Sequence, residues 1–410
     1  MRRALVLVFG ILPLFGGGIP PSEYQHRRAE LRRSLDGVMV LFGAEEPEDL
    51  HTSFFQEANF LYLSGWREPG AAMLLTRDEE ILFLPPHDVR AEIFTGGKTA
   101  AEDKEALEKS GFAKVLPRSA IESTYLKTLE AARAVYTVPS DAGAKKLLAL
   151  APLHDERNAA TEIARLRVVK SPAEISLIAE STDATVAAHL AAWKAMKPGA
   201  FEYEIAATMT NVYFQRGCER SAYAPIVGSG PNSVILHYMT NHRRVDSGEL
   251  VLMDVGAECS DYATDVTRTV PANGKFTPRQ REIYDVVLGA QKAAIAAVKP
   301  GAVMRGKGSL TQIVRDYMDS HGKDLHGEAL GKYFTHGLGH YVGLDVHDPG
   351  DANWPLQPGM IITIEPGIYI PEENIGIRIE DTVLVTDSGA KVLSGALPRE
   401  PGEIEKRIGK

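Results

Sequence analysis

Residues 250–269 read LVLMDVGAECSDYATDVTRT. The apolar run from Leu250 to Ala257 is broken by one carboxylate, Asp254, and after a tight turn Asp265 returns in a second strand-like run, placed to face it. A lone carboxylate inside an apolar strand costs several kcal/mol unless something pairs with it. Two that converge repel unless a cation or a proton lies between them. The pattern then recurs. Glu365 breaks the apolar strand Ile361-Ile-Thr-Ile-Glu-Pro-Gly, and Glu380 closes Gly376-Ile-Arg-Ile-Glu-Asp. Asp254 and Glu365 lie 111 residues apart, and Asp265 and Glu380 lie 115 apart.

The helices around these strands repeat at a similar interval. Ser171-Pro-Ala-Glu174 opens a helix with a capping box and proline at the first helical position. Ile175, Ile178, Val186, Leu190 and Trp193 give it helical apolar spacing, and it stops at Lys197-Pro-Gly199. Thr277-Pro-Arg-Gln280 opens a second helix by the same logic, 106 residues on, and Lys299-Pro-Gly301 ends it at an offset of 102. Each is followed by another amphipathic helix, closing at Gly217 and Gly322. Two helix–Lys-Pro-Gly–helix units that each lead into strands predict a duplicated α+β half-domain. A site is then expected between the halves, where four carboxylates require more than one unit of positive charge.

Histidine completes the set. Residues 335–348, THGLGHYVGLDVHD, hold three imidazoles, and His237 follows Asn232-Ser-Val-Ile-Leu. His336 and His340 could share a helix face, but the intervening glycines favour a loop over the site. His242 lies in a polar stretch and reads as surface. The two cysteines, Cys218 and Cys259, form neither a disulfide framework nor a metal-binding spacing and read as small buried thiols. Oxygen and imidazole are therefore the expected ligands.

The segments DVGAECSDYATDVTRT, HGLGHYVGLDVHD, TIEPGIYI and GIRIEDTV resemble the successive motifs of the metallopeptidase family with the pita-bread fold, M24, which includes methionine aminopeptidase, prolidase and aminopeptidase P. The resemblance spans 171–400. It implies two divalent metal ions, by family precedent Mn²⁺ with Co²⁺ or Zn²⁺ as alternatives, held by Asp254, Asp265, His340, Glu365 and Glu380. It also implies catalytic roles for His237, His336, His347, Glu365 and Arg378. Residues 54–69, FFQEANFLYLSGWREP, resemble the amino-terminal domain shared by aminopeptidase P and prolidase; Phe94-Thr-Gly-Gly-Lys98 departs from a later motif there that carries Trp and Arg. The expected activity is hydrolysis of the N-terminal Xaa-Pro bond of peptides. Prolidase, restricted to dipeptides, shares every residue named, and a non-catalytic peptide- or protein-binding pita-bread module is the alternative of another class.

The expected architecture is an N-terminal extension or signal peptide over 1–20, an α/β domain over 21–160 and the pita-bread catalytic domain over 161–410. In the α/β half, strands are expected at Val38–Phe42, Phe60–Leu63, Ala71–Leu75 and Ile81–Leu84, helices near Ala101–Lys109 and Ala142–Leu150, and a polar connector over 152–170. Arg27-Arg28 and Arg32-Arg33 read as the solvated face of a first helix. A formal charge of -9 with no basic stripe argues against a nucleic-acid or anionic-membrane partner. Met1-Arg-Arg followed by the short apolar run Ala4–Phe15 is too short for a comfortable membrane span, and leaves cytoplasmic and exported locations both open. A homodimer or homotetramer is expected from the resemblance alone.

Overall fold

The computed structural model describes residues 18–49, 51–138 and 142–409, so the signal-like segment falls largely outside the described residues. The first half is built on a mixed sheet. Its strands are β1 (Val38–Phe42), β2 (Ala72–Leu75), β3 (Glu80–Leu84), β4 (Lys114–Pro117), β5 (Ala134–Thr137) and β6 (Asp155–Asn158), in the order β4-β3-β2-β1-β5-β6. Strand β1 is antiparallel to β2 and parallel to β5. Its side chains alternate between faces: Met39 and Leu41 enter one core cluster, Val38, Val40 and Phe42 another. A strand covered on both faces reads as an unbroken apolar run. The cluster holding Met39 also takes in Leu177, Tyr262, Val342 and Ile361, so the two halves of the chain share a core.

Three local expectations are corrected here. Phe60–Leu63 lies in a helix, Ala58–Ser64, because Glu57 accepts from the Phe60 N–H at its start and Gly65, at φ 66°, ends it. A short apolar run fits strand and buried helix equally well, and the caps decide. The stretch 152–170 is no simple connector: it supplies β6 and the helix Ala159–Arg167. Arg27 and Arg28, on the helix Pro21–Ser34, are buried rather than solvated. Arg28 pairs with Glu80 at 3.1 Å, donates to the Leu63 carbonyl at 2.9 Å and lies over the Phe112 ring.

The second half confirms the duplication as topology. The first unit packs the helices Pro172–Ala195 and Glu202–Gln215 together, then runs through β7 (Arg220–Ser221), β8 (Ile226–Ser229), β9 (Leu250–Val255), β10 (Ala257–Cys259), β11 (Tyr262–Ala263) and β12 (Val266–Pro271). The second packs Pro278–Ala297 against Leu310–His321, followed by β13 (Ile361–Ile364), β14 (Gly367–Ile370), β15 (Ile375–Arg378), β16 (Asp381–Thr386) and β17 (Gly389–Val392). In each unit an antiparallel pair, β9–β12 or β13–β16, brackets a smaller antiparallel pair, β10–β11 or β14–β15. Both long helices carry the expected capping boxes. No helix among the described residues is long and apolar enough to cross a membrane.

Cys218 and Cys259 are joined in a disulfide, contrary to the reading as separate thiols. Spacing along the chain carried no sign of it, because antiparallel pairing of β7 with β10 is what brings the two residues together.

The two units are locked by a buried ion pair. Arg268 and Asp381 are both 0% exposed and meet at 2.7 Å. Arg268 also donates to the carbonyls of Thr267, Glu380, Leu397 and Pro398. Asp381 accepts in addition from Ser394, Gln291 and Arg399. Burial would raise its carboxyl, but Arg268 and Arg399 outweigh that and hold it below the usual range. Breaking one side of such a pair leaves an uncompensated buried charge and costs about 3–5 kcal/mol. Arg268→Met is therefore expected to lower denaturant-unfolding stability by about that amount, with part of the loss recovered in Arg268→Met/Asp381→Leu.

Candidate metal centre

All nine residues named from the sequence, His237, Asp254, Asp265, His336, His340, His347, Glu365, Arg378 and Glu380, line one cavity of about 590 Å³. The carboxylates arrive from both units. Asp254 lies within β9, Asp265 just before β12, Glu365 just after β13 and Glu380 just before β16. Backbone pairing joins the units directly, since the Glu380 N–H donates to the Thr267 carbonyl at 3.0 Å.

The histidine-bearing segment 336–348 is irregular, as expected, and is laid along β13. Thr363 N–H donates to the His340 carbonyl and Glu365 N–H to the Leu338 carbonyl, both at 2.9 Å. This approach needs Gly339, where a Cβ would sit 2.0 Å from the Thr363 carbonyl oxygen. At the far end of the segment Asp348 is buried and accepts from Arg167 at 2.6 Å and Lys170 at 2.8 Å, fixing the residue next to His347. Arg167 also donates to Asn59, tying this loop to the first half of the chain. His237 is held from below in a similar way. Glu202, 0% exposed, accepts from Ser229, Asn232, Tyr238 and the Arg243 N–H, which bracket the histidine on both sides. His242 is exposed, as expected.

Three side chains that the sequence reading did not name organise the carboxylates. The Tyr223 hydroxyl lies 2.5 Å from both Asp254 Oδ1 and Asp265 Oδ1, and its single proton can serve only one of them at a time. Thr267 donates to Glu380 Oε2 at 2.6 Å. Tyr369 accepts from Arg378 at 2.7 Å and stands 2.9 Å from His336 Nε2. Arg378 is also hydrogen-bonded to Asp254. Thr267 could have been found from register, because it pairs opposite Asp254. Tyr223 and Tyr369 carry no local signal.

The electrostatics ask for cations. Asp265 and Glu380 are pushed well above the usual carboxylate range by burial first and by neighbouring carboxylates second. Glu365 rises to about 8, from burial and from Glu380. His336 is lowered to about 4 by burial and by Arg378, and His347 is lowered by burial and by His340, so both are neutral near pH 7. The donor set fits a metal on grounds of hydrogen bonding as well. His340 Nδ1 lies 3.0 Å from the Tyr341 carbonyl, which makes it the N–H donor and leaves Nε2 as a lone pair. That lone pair faces Asp265 Oδ2 at 3.5 Å and Glu365 Oε1 at 3.7 Å. Glu380 Oε1 is buried with no hydrogen-bond partner among the described residues. Acceptors facing acceptors in a buried place are the chemistry of a cation site. Asp265, His340 and Glu380 each offer a ligand atom, all within 4.8 Å of one another.

The same balance sets a pH dependence. In the metal-free protein Glu365 holds its proton up to about pH 8, whereas an unfolded glutamate releases it near 4.5. The native state binds the extra proton between those limits, so stability is present below them and is lost as pH rises through the interval. A bound cation takes the proton's place. Thermal melts of metal-stripped protein are expected to fall in Tm across this range, with the Tm gain on adding metal growing over the same range. A flat metal-free profile would contradict the carboxylate cluster.

Comparison with known proteins agrees with this geometry. The description "Metallopeptidase family M24" matches residues 176–387, and "Aminopeptidase P, N-terminal domain" matches 24–136. The chain is 35% identical to the Xaa-Pro aminopeptidase of Haemophilus influenzae, over 94% of this chain and 97% of that one. It is 34% identical to human Xaa-Pro aminopeptidase 3, over 87% of this chain and 77% of that one. Among solved structures, Escherichia coli aminopeptidase P with the inhibitor Pro-Leu superposes at a TM-score of 0.86 with 31% identity, covering 95% of this chain and 98% of that one. A catalytic half built from two α+β units with carboxylates at equivalent strands, preceded by an aminopeptidase P-type N-terminal half, places this chain in metallopeptidase family M24.

Proposed function

We propose that this chain is an Xaa-Pro aminopeptidase working with two divalent ions, and that manganese is the working metal. The observation that carries the reading is the convergence of Asp265, Glu365 and Glu380 around the His340 Nε2 lone pair, with Asp254 lining the same cavity, in a chain similar along most of its length to Xaa-Pro aminopeptidases. An oxygen-rich set with one imidazole suits Mn²⁺, with Co²⁺ and Zn²⁺ as competitors. A zinc-substituted, product-bound form of the similar E. coli enzyme accords with a site that takes more than one divalent ion.

Bound in this set, the ions would polarise the scissile carbonyl and make water nucleophilic near neutral pH. Asp254, Asp265, His340, Glu365 and Glu380 are the residues to hold them. His237 and His347, on the exposed side of the cavity, would donate N–H bonds to the carbonyl oxygen as charge develops on it. Glu365 would receive a proton from water and pass it to the proline nitrogen, the leaving group. His336 acts at one remove: with Tyr369 it steadies the Arg378 guanidinium beside Asp254. A bond to proline has no N–H for extended-strand recognition. The apolar wall of Ile226, Leu236, Met239 and Val346 is suited to take the ring instead.

Manganese-restored protein is expected to cleave an Xaa-Pro-Xaa tripeptide after its first residue, and metal-stripped protein is expected not to. Activity confined to Xaa-Pro dipeptides would make it a prolidase. Asp265→Asn should cost more than the roughly 10- to 100-fold of a lost supporting residue, with circular dichroism unchanged; normal turnover would refute its role as a ligand.

We also infer an oxidising working compartment, since disulfides persist there and are rare in the cytosol. Because both cysteines are buried, protein taken from its native location and unfolded in urea is expected to resist iodoacetamide until reduced and to react at both cysteines afterwards. Immediate labelling would place it in a reducing one.

A further inference from the structure

Beside the carboxylate and imidazole groups, the cavity wall carries one more charge. Arg305 is exposed, lies on the segment between the helices Pro278–Ala297 and Leu310–His321, and lines the same cavity as His336 and His340. Its guanidinium stands against Gly337, where a Cβ would come within 3.3 Å of Nη2. Four carboxylates line this cavity, yet none pairs with Arg305, and its side chain makes no hydrogen bond or ion pair among the described residues. The contrast is with Arg378, which is buried and committed to Asp254, Thr267 and Tyr369.

The backbone beneath Arg305 is firmly held. Met304 and Arg305 N–H both donate to the Ala352 carbonyl, at 3.1 and 3.2 Å, and Thr311 donates to the Met304 carbonyl at 2.6 Å. Met304 is itself buried. The guanidinium thus projects into the cavity from a fixed point with all its donors available.

We infer that Arg305 is a specificity-determining residue that receives a substrate carboxylate on the C-terminal side of the scissile bond. It can do so only if the peptidase reading above holds. Substrate polarity decides the side. An aminopeptidase substrate ends at a cationic α-ammonium, which a guanidinium repels. The carboxylate-bearing part of the peptide lies on the other side of the scissile bond and is the part that an exposed guanidinium on the cavity wall attracts. Arginine presents a planar fork that matches a carboxylate with two parallel bonds. That carboxylate has two sources, the C-terminus of a short peptide and an acidic side chain just after the proline.

Three peptides separate the sources: Ala-Pro-Ala, Ala-Pro-Ala amide and Ala-Pro-Asp amide, assayed with manganese-loaded wild type, Arg305→Met and Arg305→Lys. For wild type, the peptide amide without a carboxylate should show a KM roughly three- to fivefold above its carboxylate-bearing counterpart, the size of an exposed ion pair. That ratio should shrink with added salt, fall to about one in Arg305→Met and survive in part in Arg305→Lys. A lower KM for Ala-Pro-Ala alone assigns the carboxylate to the chain terminus, and one for Ala-Pro-Asp amide as well extends it to the side chain. A second readout needs no turnover: by calorimetry, Pro-Leu should bind wild type more tightly than Pro-Leu amide, and Arg305→Met should erase the difference. Equal constants in wild type, or a ratio that persists in Arg305→Met, overturns the role of Arg305 and leaves the peptidase reading standing. Failure of loaded wild type to cleave any of the three overturns the peptidase reading and this role together.

Discussion

Carboxylates crowded into one buried cavity repel each other, and much of the catalytic half can be understood as a frame that holds them there. Asp254 and Asp265 come from one unit, Glu365 and Glu380 from the other, so the repulsion acts across the boundary between the repeats. Opposing it is a layer of hydrogen bonds beneath the cavity: Arg268 on Asp381 and on the Glu380 carbonyl, and Glu380 N–H on the Thr267 carbonyl. A buried ion pair is weak evidence for stability on its own. Here its position is what matters, because Asp381 is covalently next to Glu380. The same residues that join the repeats also fix Glu380 at the cavity.

The histidines obey a different logic. His237 and His347 stand on irregular segments at the exposed side of the cavity, where backbone alone would not fix them. Each is adjacent to a buried acidic anchor network, Glu202 beneath the first and Asp348 with Arg167 and Lys170 beneath the second. Burial would raise the Asp348 carboxyl, but the two cations outweigh it and keep it ionised. Because Arg167 also holds Asn59, the loop that carries His347 is anchored in part by the N-terminal half. That half is therefore part of the frame of the site and more than a spacer.

The errors of sequence reading share one cause. Arg27 and Arg28 look like solvent-facing charges until Glu80, Glu174 and the Phe112 ring arrive from distant segments to cover them. Phe60–Leu63 has the composition of a strand, and only the Glu57 cap with the left-handed Gly65 makes it a helix. Cys218 and Cys259 show no pairing signal because a sequence separation of 41 conceals a contact made across paired strands. In each case the deciding partner is remote along the chain.

What could be read from the sequence is whatever obeys a local rule or recurs. The duplicated units, the caps at Ser171 and Thr277 and the four carboxylates of the site follow from periodicity, from repetition and from the improbability of unpaired charge in an apolar strand, the four histidines follow from their clustering beside those strands, and Arg378 came from the family resemblance alone. Family resemblance sharpened these into roles. The tertiary structure alone decided which buried acceptor lacks a hydrogen-bond partner and that Arg305 shares the cavity without one, both among the described residues, that Tyr223 stands between two aspartates, and that two cysteines are bonded. Those are facts about distance between residues far apart in the chain, and spacing along a sequence carries no measure of distance once the chain has turned back on itself.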